Sequence, residues 1–214
     1  MLELARVLAR LKSAPRTGWL DRGVPPGQTE SVADHSFGVA LLAWTCAVQR
    51  RADGAELDPE RVLKLALLHD LAEAKTGDVP PYDPASIPDV EDADARRAFL
   101  EQRHVRPAER NADKRSRENA AMQALLRALP SAIRSELGEV WAELHDGASA
   151  EARFVKQVDR LETFLQSRHY LRGDPTLPVA SFRQEVLETI DDPLLAAIRD
   201  AALAEGSGET GSGI

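Results

Sequence analysis

Six side chains in or just after apolar helix faces are groups that bind cations or carry protons. In "LALLHDLAEAKTGD", residues 65–78, the apolar run is broken by His69 and Asp70 and followed by Glu73 and Asp78. His35 interrupts "SVADHSFGVALLAW", and Asp159 interrupts "FVKQVDRLETFL". Burying a charge costs roughly several kcal/mol per ion even after relaxation, so something must offset that cost here. Neutral imidazole nitrogens combined with carboxylate oxygens suit a borderline-to-hard divalent ion, namely Mn²⁺, Co²⁺, Fe²⁺, Zn²⁺ or Mg²⁺. His35, His69, Asp70 and Asp159 would supply four ligands and leave octahedral positions open for water and substrate. Each residue alone has a plainer reading. An inward histidine can satisfy itself on a carbonyl, and Asp159 can pair with its neighbour Arg160. The case for a shared metal site is that three separate helices offer one ligand set.

The elements that must position these groups read as helices. At about 100° per residue, Val62, Leu65, Ala66, His69 and Glu73 form one stripe, which turns His69 and Glu73 inward. His35 shares a stripe with Val32, Val39, Leu42 and Cys46, and Asp159 edges the face of Phe154, Val155, Val158, Leu161 and Leu165. Leu4, Leu8 and Leu11 mark a first helix over 2–13, and the three prolines and three glycines of 14–30 predict a loop. Ser31 is a candidate N-cap for a helix to about Arg51, and Asp58-Pro59 a start signal for the helix carrying His69. "TGDVPPYDP" ends that helix, and further helices are expected near 116–129, 132–145, 149–171, 181–190 and 193–204. Neither β-alternation nor an internal repeat is evident. The pattern predicts one all-α domain over 1–205, with a charged, solvated, partly helical excursion at about 83–115 and a disordered tail at 206–214.

Composition narrows the classes. The chain has 214 residues, 43% hydrophobic, enough for one substantial core. With 27 basic against 35 acidic residues its net charge is −8, which argues against binding a nucleic-acid polymer. Cys46 is the one cysteine, so no intrachain disulfide forms and a cytoplasmic home is the simplest expectation. No apolar run reaches the ~18 residues that would span a bilayer, and "MLELARVLARLK" reads as an amphipathic helix rather than a signal peptide.

The order His35, His69-Asp70, Asp159 resembles the H…HD…D signature of the HD-domain metal-dependent phosphohydrolases. "PRTGW" at 15–19, "ESVADHS" at 30–36, "LALLHDLAEAKTGDVPP" at 65–81 and "EARFVKQVDRLE" at 151–162 are similar, in order, to the HD-domain 5′-deoxynucleotidases. That resemblance implies an all-α HD-domain bundle, a divalent cation, and hydrolysis of deoxynucleoside 5′-monophosphates to deoxynucleoside and phosphate. It also implies a homodimer. By the same resemblance Glu73 is the proton carrier, Arg16 orients the phosphate, Trp19 packs on the sugar and excludes a 2′-hydroxyl, and Asp78 contacts substrate. Glu143 in "WAELH" is a further candidate polar contact. Plainer readings remain for Trp19, as a core aromatic, and for Asp78, as a turn residue.

Two other functions fit parts of the pattern. A triphosphohydrolase or phosphodiesterase would need more cations, and beyond Arg16 the nearby sequence offers few. A non-catalytic metal-binding helical module would need the ligand set but not Glu73. His104, His145 and His169 lie in polar surroundings and are expected to be non-ligands, and Cys46 is expected to pack in the core.

Overall fold

Ser31 begins the central helix as its spacing predicts. Its side chain accepts from the Asp34 backbone N–H while Asp34 Oδ2 accepts from the Ser31 N–H, a capping box that opens α3, Val32–Ala52. Asp58 likewise caps Glu60 at 3.0 Å ahead of Pro59 and starts α4, Pro59–Leu68. In the computed structural model, which describes residues 1–208, these two helices follow α1, Leu2–Ser13, and α2, Thr17–Asp21. After them come α5, Glu73–Thr76, α6, Ala93–Glu101, α7, Ala108–Arg127, α8, Ser131–Asp146, and α9, Ala150–Gly173. The last two are α10, Ala180–Thr189, and α11, Pro193–Gly208. No β-strand occurs among the described residues, only an isolated bridge between Pro15 and Ser31. Of the tail placed at 206–214, the first three residues close α11 and the rest lie outside the described residues.

The core forms where α3, α4 and α9 meet. Val39, Ala43, Val62, Leu65, Ala66, Val155, Val158 and Leu161 are buried there, and Val186 and Leu195 of α10 and α11 close the far side. Each fully buried aliphatic side chain contributes about 1.5–3 kcal/mol, which holds the three helices rigidly enough to position polar groups at one end. A second cluster joins Val7 and Leu11 of α1 to Met122 and Leu125 of α7 and Trp141 of α8. Cys46 packs in the first core, and burial followed by nearby Asp192 pushes its thiol up to about 11.

Two local expectations differ from the structure, and a third needs an addition. The loop at 14–30 contains the five-residue α2, too short to show a helical period. The His69 helix stops at Leu68, and Glu73 begins a separate four-residue helix after a turn, yet remains buried. The excursion at 83–115 is mostly exposed and partly helical as expected, but it is pinned to the bundle at a few points. Tyr82 and Leu100 beside and within it are buried, Arg96 donates to the Asp21 carbonyl at 3.0 Å, and its last residues already belong to α7.

Candidate metal centre

α3, the end of α4 and α9 bring His35, His69, Asp70 and Asp159 together. The His35 Nε2 atom lies 3.3 Å from His69 Nε2, 3.1 Å from Asp159 Oδ1 and 3.7 Å from Asp70 Oδ2, and His69 Nε2 lies 3.2 Å from Asp70 Oδ2. Ligand atoms of His35, His69 and Asp70 all fall within 4.8 Å of one another. His35 is fully buried, whereas the Asp159 side chain is 34% exposed and faces the open side. Arg160 does not take Asp159; its guanidinium turns to Glu185 instead.

The other ring nitrogens decide what the cluster can hold. His69 Nδ1 donates to the Ala66 carbonyl at 2.7 Å, and His35 Nδ1 donates to Glu162 Oε2 at 2.6 Å. These partners set the tautomer: both Nε2 lone pairs then point at each other and at two carboxylate oxygens. Four acceptors that close require a cation or a proton among them. Burial and the Arg16 charge oppose a proton on His35, but hydrogen bonds to Asp159 and Glu162 push its pKa up to about 10. A divalent ion displaces such a proton on binding, so the donor set fits a divalent metal and accounts for the cost of burying it.

Glu162 escaped the sequence reading although it lies three residues past Asp159 on the same face. With Glu30 it surrounds the outer side of His35, and burial, then Glu162, raises the Glu30 carboxyl. Gly38 makes room for it, since a Cβ there would sit 2.7 Å from Glu162 Oε1. Losing such an outer partner costs about 10–100-fold in metal affinity. Glu162→Gln is therefore expected to weaken Mn²⁺ binding by that factor in a metal titration, while its thermal melt stays near wild type.

Arg16 reaches the cluster from the α1–α2 connection. Its Nη1 is 3.4 Å from Asp70 Oδ2 and its Nη2 donates to Thr163 Oγ1 at 3.3 Å. Burial opposes its charge, but Asp78, Asp70 and Asp159 hold the guanidinium protonated. Asp78 fastens that loop: Oδ2 accepts the Thr17 N–H at 2.6 Å, and the Asp78 carbonyl accepts the Thr17 hydroxyl at 2.9 Å. Glu73 is 4% exposed, with Oε1 accepting from Lys114 Nζ at 3.3 Å and Oε2 buried without a partner. Burial, then Asp70 and Asp78, raises its carboxyl well above the ordinary range against Lys114 and Arg16.

Two residues expected to make substrate or polar contacts are engaged with the protein itself in this structure. Trp19 is 1% exposed, packed 5.0 Å from Tyr170 and 4.8 Å from Phe182, with its indole N–H donating to Glu30 at 2.7 Å. α2 turns the ring inward, where it packs as a core aromatic and anchors the loop. Glu143 binds Arg61 and Ser149, tying α4 and α8 to the start of α9, and has no part in the cluster. The expected shortage of further cations is also overturned. α7 carries Lys114 to Glu73, and Arg106 just before it donates to the Val79 carbonyl. Among the remaining histidines, His104 bonds the Phe99 carbonyl and His145 meets Arg115, both away from the cluster.

An all-α bundle whose three innermost helices converge on two imidazoles and two carboxylates defines a class of helical proteins built around a His–Asp metal centre. The chain belongs to the HD domain family, whose model matches residues 8–192. It is 36% identical to human 5′-deoxynucleotidase HDDC2 over 170 residues, covering 79% of this chain and 68% of that one. It is 32% identical to the mouse 5′-deoxynucleotidase HDDC2 over 222 residues, covering 99% and 94%. Among solved structures, a conserved hypothetical protein from Pyrococcus furiosus superposes with a TM-score of 0.68 at 25% identity, covering 95% and 99%.

Proposed function

We propose that this protein is a divalent-metal-dependent 5′-deoxynucleotidase that hydrolyses deoxynucleoside 5′-monophosphates to deoxynucleoside and phosphate. The observation that carries this reading is the convergence of four acceptor atoms whose histidine protons are committed elsewhere. Its relatives' name, 5′-deoxynucleotidase, supports the substrate class. In this reading His35, His69, Asp70 and Asp159 hold the metal. A bound divalent cation lowers the pKa of water and neutralises phosphoryl charge.

The chain's own groups do the rest. Arg16 offers a forked, permanently charged donor set to the phosphate oxygens and is steadied by Thr163 and Asp70. Glu73 takes a proton from the attacking water as its oxygen bonds to phosphorus. The P–O5′ bond breaks, and Glu73 returns the proton to the departing 5′-oxygen. Asp78 spends Oδ2 on Thr17, leaving Oδ1 to accept from a sugar hydroxyl. Trp19 acts only through the loop it anchors.

Arg16→Lys keeps the charge and loses the fork. It is expected to lower kcat/KM by about 10–100-fold, the value of a charge-assisted hydrogen bond, read from phosphate release with the metal content unchanged. No helix among the described residues is long and apolar enough to cross a membrane, and a cytoplasmic location fits the lone, buried Cys46. A homodimer is favoured by an apolar stripe on α3, where Phe37, Leu41, Trp44 and Val48 are exposed at spacings of four, three and four.

The test is phosphate release from a panel of deoxyribonucleoside monophosphates, ribonucleoside monophosphates and triphosphates, with Mn²⁺ or Co²⁺ added. Turnover confined to the deoxyribonucleoside monophosphates supports the proposal. Turnover of triphosphates alone, or none at full metal occupancy, sinks it.

A further inference from the structure

The chain is acidic overall, yet four of its cations line one cavity that Lys114 links to Glu73. This cavity, of about 150 Å³, lies between α7 and the turn at Thr76–Val79 and is lined by Arg106, Arg110, Lys114 and Arg117, with Asp113 as its one carboxylate. Arg110, Lys114 and Arg117 follow one another at spacings of four and three, so α7 presents them on one face. Their charges are incompletely matched. Arg106 spends its donors on the Val79 and Pro80 carbonyls at 2.7 and 3.0 Å, which are neutral. Arg110 donates to the Tyr82 carbonyl at 3.3 Å and has Asp83 only at 3.8 Å. The Arg117 guanidinium makes no hydrogen bond or ion pair with any described residue. Lys114 alone is fully paired, with Glu73 and Glu118.

Four cations thus line one cavity with one carboxylate among the lining side chains, and three of them keep donors that no carboxylate closer than 3.8 Å takes. Burial lowers the Arg106 guanidinium, with Glu118 opposing that shift and Arg110 adding to it. We propose that this cavity is a binding site for a phosphate-type tetrahedral anion, separate from the phosphate position at Arg16. Guanidinium forks match phosphate geometry and would exchange neutral carbonyl partners or solvent for charged oxygens. The volume is well below the ~300–1,000 Å³ of pockets that enclose a whole drug-sized ligand. It therefore takes a free anion or the phosphate end of a nucleotide, with the rest of that molecule outside. Lys114 makes the site continuous with Glu73, so its occupant sits next to the proton carrier without touching the metal ligands.

Calorimetric titration of the metal-loaded protein with inorganic phosphate, pyrophosphate and adenosine triphosphate tests this. It is run in an Arg16→Gln background, where the phosphate position at the metal centre is weakened. Binding of any of the three is expected, falling about tenfold or more when Arg110→Gln and Arg117→Gln remove two cations. Equal binding of all three identifies a free anion as the occupant, and binding of the triphosphate alone identifies a nucleotide tail. Arg117→Glu, at an exposed position, provides a second variant should the pair disturb folding, and it should weaken binding at an unchanged melt. With Arg16 intact, the variants should hydrolyse deoxynucleoside monophosphates at the wild-type rate. No binding at about 10 mM anion, or binding indifferent to Arg110 and Arg117, overturns the site. Absence of hydrolysis by the wild type would instead count against the proposed function and leave the anion result readable.

Discussion

Asp70→Asn is expected to lose bound metal and phosphate release together, with activity falling by about 10³-fold or more, the several kcal/mol a metal supplies to such a reaction. Its Oδ2 is the point on which the centre closes, 3.2 Å from His69 Nε2, 3.7 Å from His35 Nε2 and 3.4 Å from Arg16 Nη1. The amide keeps the shape but halves the acceptor capacity and carries no charge to balance a cation. Burial opposes ionisation of Asp70, yet His69, His35 and Arg16 hold its carboxyl well below the usual carboxylate range. A carboxylate depressed in this way contributes stability that is present above its unfolded-state pKa and disappears as pH falls through the folded one. Asp70→Asn should therefore also flatten the acid limb of the stability profile, measured by thermal melts of metal-free protein at stepped pH. Metal per chain, read alongside activity, separates loss of the ion from loss of the fold.

Glu73→Gln is expected to behave in the opposite sense. Metal content should stay at the wild-type level, kcat should fall by about 10²–10⁴-fold, as for removal of a general acid–base, and the melting temperature should hold or rise. One carboxylate oxygen is buried without a partner and the other has only Lys114, so the group is costly to the fold and useful to the reaction. Burial, then Asp70 and Asp78, raises its carboxyl. The folded chain thus binds this proton more tightly than the unfolded chain does. The stability it contributes is present below the unfolded-state pKa and is lost as pH rises through the folded value. Wild type should gain stability on acidification across that window, and Glu73→Gln should lack the gain. A variant with native turnover would assign the proton to another group.

Much of this centre could be read from spacing because its residues sit in long helices with strong apolar faces. His35 and Asp159 each break a period that the neighbouring valines and leucines make plain, and Ser31 and Asp58 announce where their helices start. Glu162 was legible in the same way, three residues beyond Asp159, but as a charged residue on a partly polar helix it reads as surface until His35 is placed against it. Lys114 and the arginines near it were not legible. A segment as charged as 83–115 has no apolar period to orient it, and the contact with Glu73 spans 41 residues. Trp19 shows a different limit: in a loop dense in glycine and proline, nothing local tells whether an aromatic ring faces a ligand or the core. Only Tyr170 and Phe182, far along the chain, decide it.

The most direct measurement strips the protein with a chelator and restores Mn²⁺ or Co²⁺ stepwise while following phosphate release from a deoxynucleoside 5′-monophosphate. If two imidazoles and two carboxylates share a single ion, activity should be absent at the start and saturate at one equivalent per chain. Full turnover by the stripped protein in excess chelator would contradict the account at its root.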